Sequence, residues 1–178
     1  MLDIITNSAI VLGLAVAALL AYAAMRPDTF KVQRSASITA PPERIFPLIA
    51  NLKSMNTWNP FVSPDPAIKV SYSGPESGKG AAHTWSGNSK VGEGRIEIID
   101  ASPPAKVTMM LDMLKPMKAH NTVELTLQPV GNATTVTWAM SGRQPLIAKV
   151  MTVFIDCDNM VGRQFERGLA DLKAIAER

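Results

Sequence analysis

Residues 145–178 place the tightest constraint on what this chain can become. Apolar side chains recur there at Leu146, Val150, Phe154, Cys157, Val161, Phe165, Leu169, Leu172 and Ile175. Those spacings of three and four keep one side of an α-helix apolar for about eight turns. The other side carries Lys149, Asp156, Asp158, Arg163, Glu166, Arg167, Asp171 and Lys173. Pro145 suits a first helical position, where no N–H is bonded within the helix. Most of the chain before it alternates like β-structure. A long amphipathic helix after such strands buries its stripe by lying across the concave face of a curved antiparallel sheet. Gly162 and Gly168 interrupt the helix at about 1 kcal/mol each relative to alanine, which marks a bend or a close approach to the sheet.

The strands are read from alternation. Residues 29–39 set Phe30, Val32, Ala36 and Ile38 on one parity, the pattern of a half-buried strand. A helix starts at Pro41-Pro42 with Ile45, Phe46, Leu48, Ile49 and Leu52 as its apolar stripe, and Pro47 makes it short or bent. Residues 53–66 hold Trp58, Phe61 and three prolines in no regular pattern. They read as a loop or short second helix whose aromatics plug one end of the core. Six further strands follow at about 68–73, 80–85, 95–101, 106–114, 119–128 and 135–141, with glycine and proline turns between them and a bulge within 91–94. Seven strands joined by short turns predict an antiparallel meander in an α+β domain.

Residues 4–25 contain no charged side chain. As a helix they extend about 33 Å, enough to cross a hydrocarbon core of about 30 Å. They read as a transmembrane anchor, because they are apolar all round and not striped. A cleaved signal peptide is the alternative: Ala21-Tyr22-Ala23 resembles a cleavage site, but the segment before the apolar run holds Asp3 and no Lys or Arg. Arg26, Lys31 and Arg34 follow the span and no basic residue precedes it, which predicts a single-pass protein with its C-terminal domain in the cytoplasm. The expected division is therefore 1–27 as anchor and 28–178 as one globular domain, as a chain of 178 residues allows.

A formal net charge of +3 does not indicate nucleic-acid binding here. The basic residues are scattered among acids and form no basic face with stacking aromatics. The single cysteine, Cys157, has no internal disulfide partner and is expected as a small buried hydrophobe on the apolar side of the long helix.

Several separated phrases then agree in order. Gly80-Ala81 through Trp85, Gly87-Asn88-Ser89-Lys90-Val91-Gly92-Glu93-Gly94, Lys115-Pro116 with His120-Asn121-Thr122, and Thr135-Val136-Thr137-Trp138-Ala139-Met140-Ser141-Gly142 together resemble the polyketide cyclase/dehydrase branch of the START-like (SRPBCC, Bet v 1-like) superfamily. The resemblance covers about residues 30–176. It implies a helix-grip fold, with a seven-stranded antiparallel sheet curved around the C-terminal helix and enclosing a cavity for a hydrophobic ligand such as a lipid, sterol or polyketide. Some members fold polyketides and many relatives only bind or carry ligands, so the fold does not fix the chemistry.

Parity and helical face select Tyr72, His83, Trp85, Met109, Met113, Trp138, Val150, Phe154 and Val161 as the lining of that cavity. Ten methionines, seven of them in the expected sheet–helix layer, suit either a surface that adapts to varied apolar ligands or a gap-filled core. Two residues are candidates for acid–base chemistry. His83 shares its parity with Ala81 and Trp85 and points toward the apolar side, whereas His120 is expected to face solvent. Asp112 is a base if it faces inward; the cleaner apolar row of Val107, Met109, Leu111 and Met113 places it on the outer face, paired with a neighbouring-strand cation. Two distant histidines and one helical cysteine supply no metal site, and no cofactor is implied. The glycines of 87–94 lack the Gly-Lys-Ser/Thr ending and following helix of a phosphate loop.

Three functions follow from this pattern. The first is a membrane-tethered binding protein for a hydrophobic small molecule or lipid. The second is a cyclase, aromatase or dehydratase using His83 or Asp112. The third is a protein-interaction module at the membrane with a filled core, whose protein partner the residues do not name.

Overall fold

The structure, a computed structural model, describes residues 2–62 and 65–178. Met1, Ser63 and Pro64 lie outside the described residues, as do the side chains of residues 2–5 and Ala9; these include Asp3 and part of both the expected span and the expected 53–66 loop.

Helix α1 (Leu2–Met25) leads through Pro27 and Asp28 into β1 (Thr29–Ile38). Two short helices follow, α2 (Pro42–Ala50) and α3 (Leu52–Met55). Then come β2 (Lys69–Ser73), β3 (Ala82–Ser86), β4 (Glu93–Ser102), β5 (Lys106–Lys115), β6 (Ala119–Val130) and β7 (Ala133–Arg143). All seven strands form one sheet in the order β1-β7-β6-β5-β4-β3-β2, with every neighbouring pair antiparallel. The register slips between Glu93 and Gly94, where the glycines marked a bulge, and again between Ile98 and Asp100. Such bulges bend a strand and increase its twist, and so curve the sheet.

The chain ends in α4 (Leu146–Phe154) and α5 (Cys157–Ala176). Helix α5 covers the concave face: Phe165, Leu169, Leu172 and Ala176 are at most 1% exposed. Each of the three larger side chains contributes about 1.5–3 kcal/mol by burial. They pack with Ile38, Ile45, Ile49, Ile98, Leu125 and Val136 in a single core. The helix-grip architecture is thus present.

Three expectations for the C-terminal segment are corrected. The apolar spacing of residues 145–178 predicts a continuous helix, but the backbone is extended at Ile155 (φ −120°, ψ 120°) and the chain turns there. Asp156 caps α5, its side chain accepting from the Asn159 N–H at 2.9 Å. An Asp at this point offers the backbone an alternative to a further helical turn, and the apolar spacing happens to carry on across the break. Pro145 is the cap before α4, not its first turn. Cys157, at the start of α5, is half-exposed and not buried.

Thr6–Met25 is the one segment among the described residues long and apolar enough to cross a membrane, with a mean hydropathy of 2.2 and 6% of it buried.

Candidate functional site

A cavity of about 250 Å³ separates the sheet from α5, just below the roughly 300–1,000 Å³ of small-molecule pockets. Its floor is the concave face: Val70, His83, Trp85, Ile96, Leu111, Met113, Val123, Trp138 and Met140. Phe165 of α5 forms its roof. Met55, Asn59, Phe61, Val62 and Ile68 close one side, and Lys90 and Val91 of the β3–β4 turn close another. The walls are apolar apart from Asn59, His83 and Lys90. Lys90 is exposed, so the cavity reaches the surface at that turn.

Two glycines shape these walls. A β-carbon at Gly94 would stand 2.5 Å from Cη2 and Cζ2 of Trp85 and 2.6 Å from the Asp112 carbonyl oxygen, so the absence of a side chain lets the Trp85 indole lie on the neighbouring strand. A β-carbon at Gly168 would stand 2.7 Å from Cζ3 of Trp138, and this lets α5 settle onto that ring. Trp138 stacks on Phe165 with centroids 4.2 Å apart and takes Trp58 and Phe61 edge-on at 5.4 and 6.2 Å. Trp58 is anchored by its indole N–H donating to the Leu48 carbonyl at 3.0 Å. The aromatics of the irregular segment therefore do close one end of the core.

His83 is 5% exposed, and burial pushes its pKa from 6.5 to about 4, because desolvation penalises the imidazolium. The ring is neutral at pH 7. Asn56 Nδ2 lies 3.3 Å from His83 Nδ1 and 2.9 Å from Tyr72 Oη. With that amide donating, Nδ1 accepts and the ring proton sits on Nε2. Tyr72 stacks on His83 at 5.5 Å but is 41% exposed and stands outside the cavity.

The structure brings together only some of the residues selected by parity. His83, Trp85, Met113 and Trp138 line the cavity. Met109 is fully buried in the core beneath it, and Val161 packs half-buried against that core. Val150 and Phe154 belong to α4, which packs chiefly on α1; Phe154 is 73% exposed. Their assignment to the lining is corrected, because the break at residues 155–156 turns the first part of the expected helix away.

Asp112 pairs with Arg95 and His120 across the neighbouring strands, and its carboxylate contacts His120 Nδ1. That parity is opposite to the one shared by His83, Ile96 and Leu111. Asp112 and His83 therefore stand on opposite faces and do not converge. Among the described residues no three His, Cys, Asp or Glu side chains are grouped to hold a metal.

Parity alone could have found Leu111, Val123 and Met140, which share a face with Met113 and Trp138. Phe165 lies on the helical stripe. Phe61 was marked as an aromatic plug of the irregular segment, whereas Asn59, Val62 and Lys90 come from segments with no period, and nothing in the local sequence marks them.

The comparisons with known proteins agree with this geometry. A profile described as polyketide cyclase/dehydrase and lipid transport matches residues 29–177. No curated protein sequence matches the chain significantly. Among solved structures, protein CV1439 from Chromobacterium violaceum superposes with a TM-score of 0.58 at 14% identity, covering 86% of this chain and 99% of its own. Ara h 8.0201 superposes at 0.57 with 10% identity, covering 83% and 97%. DynU16, from the dynemicin biosynthetic locus, does so at 0.58 with 16% identity, covering 85% of this chain and 48% of that one. At such identities the likeness shows the fold alone. The match across nearly the whole domain identifies the chain as a member of the polyketide cyclase/dehydrase and lipid transport family.

Proposed function

We propose that this is a membrane-tethered protein that binds a hydrophobic small molecule or lipid between its sheet and α5, without covalent chemistry. The observation that carries this reading is the apolar cavity of about 250 Å³ under α5, in a chain whose family description includes lipid transport. Filling it would remove apolar ligand surface from water at about 25 cal/mol per Å². His83 has Nδ1 occupied by Asn56, which leaves its Nε2–H to donate to an oxygen on the ligand. Residues 1–27 serve as the anchor and 28–178 as the binding domain, on the cytoplasmic side by the positions of Arg26, Lys31 and Arg34.

Of the two bases considered for a cyclase, Asp112 stands on the outer face, and His83 is the one titratable group besides Lys90 among the cavity-lining residues, which favours holding over catalysis. Native mass spectrometry of the full-length protein released from mild detergent tests the proposal, with lipid extraction of the same sample. We expect an apolar molecule bound one to one and lost when Val123→Trp fills the floor. Protein that carries no such molecule and fails to take up fluorescent lipid probes would overturn it. Protease protection in sealed vesicles tests the orientation.

A further inference from the structure

Helix α4 is amphipathic in the reverse sense to a helix on an aqueous surface, which turns charge outward and apolar residues inward. Its lysine is the buried residue. Lys149 is 4% exposed and donates to the Arg26 carbonyl at 2.7 Å and to Asp28 Oδ1 at 2.5 Å. Thr152 faces the same way, accepting from Arg26 Nη1 at 3.1 Å and from Gln144 Nε2 at 2.9 Å. Ile147, Met151 and Phe154, at i, i+4 and i+7, point outward, with Ile147 75% and Phe154 73% exposed.

The polar inner face fastens α4 to the end of α1. Along the described part of α1 above Thr6, the covered positions are Leu19 and Ala23, followed by Arg26 just past its end. Their i, i+4, i+7 spacing is one helical face, and α1 packs on α4. The overlap spans about 10 Å along α1, close to the 5–10 Å depth at which interfacial helices bury their apolar side. The outer face of α4 thus lies beside the last turns of the apolar segment.

A second apolar point lies at the same end of the sheet. The β5–β6 turn exposes Leu114 and Met117, and the register places that turn beside the start of β1 and the end of β7, through Met113↔Ala119, Asn121↔Gly142 and Thr29↔Arg143. Lys118 and Arg143 stand there among them, as suits a headgroup layer.

We propose that α4 is an interfacial helix whose Ile147–Met151–Phe154 face lies in the bilayer leaflet from which α1 emerges, seating the β5–β6 end of the sheet on the membrane. The proposal rests on the reading of α1 as a membrane span. It also gives that reading a delivery route: the cavity reaches the surface at Lys90 in the β3–β4 turn, which is at this same end of the sheet. An apolar ligand then passes from leaflet to cavity without crossing bulk water.

The test uses the full-length chain in phosphatidylcholine vesicles, in a Cys157→Ser background with a nitroxide at one introduced cysteine. Ile147→Cys, Phe154→Cys and, independently of α4, Met117→Cys report on the interface. Val16→Cys reports on the span and Glu76→Cys on the far end of the sheet. Labels at 147, 154 and 117 should collide with dissolved oxygen several-fold more than with an aqueous nickel chelate, as at 16 and opposite to 76. Labels at 147 and 154 as accessible to nickel as at 76, with 16 in lipid, would overturn the interfacial helix and leave the anchor standing. Shielding of 147 and 154 from both reagents would place a second protein copy on α4 and also overturn it. An aqueous signal at 16 would remove both readings.

Discussion

Trp138 and Gly168 meet where a side chain would not fit: a β-carbon on Gly168 would lie 2.7 Å from the indole Cζ3 and 2.9 Å from Pro60 Cδ. Both neighbours are rigid rings in the packed core, so neither can yield without moving the cavity roof. Gly168→Ala should therefore destabilise the domain by up to about 2 kcal/mol net, overpacking at about 1–3 kcal/mol being offset by about 1 kcal/mol of helix propensity. Gly162→Ala makes the contrast. There the obstructing atoms belong to the Arg34 guanidinium, which pairs with Asp158 and Glu166 at 2.8 and 2.9 Å but stands on a flexible side chain. Urea denaturation should show the larger loss at Gly168; equal losses would contradict this packing.

His83 predicts a pH dependence with a definite sign. Its pKa in the folded protein is about 4 against an ordinary 6.5, so below pH 6.5 the unfolded chain takes up a proton that the folded one refuses. Stability is lost as pH falls from about 6.5 to about 4, with a slope approaching about 1.4 kcal/mol per pH unit. Asp28, Asp156 and Glu177 are held below their ordinary values, first by bonds from Lys149, the Asn159 N–H and the Thr39 N–H respectively. Their contributions are present above those ordinary values of 3.8 to 4.5 and are lost below them, leaving pH 5–6.5 to His83. Unfolding of His83→Gln should be flatter than wild type in that window.

The placement of Asp112 outside and Val123 inside separates binding from surface chemistry. Asp112→Asn breaks an exposed pair with His120, worth about 0–1 kcal/mol, and should leave retention of an apolar probe unchanged. Val123→Trp should abolish retention while the far-ultraviolet circular dichroism persists. Titration of a fluorescent fatty acid into each variant decides it, and loss of binding in Asp112→Asn would overturn the assignment of faces.

Lys149 joins the anchor to the domain. Lys149→Ala removes the donor to the Arg26 carbonyl and Asp28 and should loosen the neighbouring bond from the Gln144 N–H to the Asp28 carbonyl, 2.7 Å in length. Amide hydrogen exchange should accelerate at residues 143–150 and remain slow in α5. Unchanged exchange at Gln144 would show that the junction does not depend on the lysine.

Strand number and parity were legible in the sequence, because a half-buried strand writes its two faces into alternate residues, as Val123, Leu125 and Leu127 do; the placing of β1 beside β7 and not β2 was not, since a meander pattern carries no sign of it. The glycines at 162 and 168 marked a bend or a close approach, and the structure shows the approach, to the Arg34 side chain and the Trp138 ring. The same periodicity misled at residues 145–156: spacing records that a face is covered, not what covers it.

The sequence by itself determined a curved antiparallel sheet with an apolar inner face, a terminal helix to lie on it, and an apolar segment ahead of both. Only the tertiary structure decided that Asp156 ends one helix and starts another, that Lys149 turns inward to bond the end of α1, and that Asn59, Val62 and Lys90 complete the cavity wall. The last two depend on which distant surfaces meet, across more than a hundred residues of chain for Lys149 and Arg26; the first is a local cap that an unbroken apolar spacing hid. Local hydrophobic pattern carries no record of such partners.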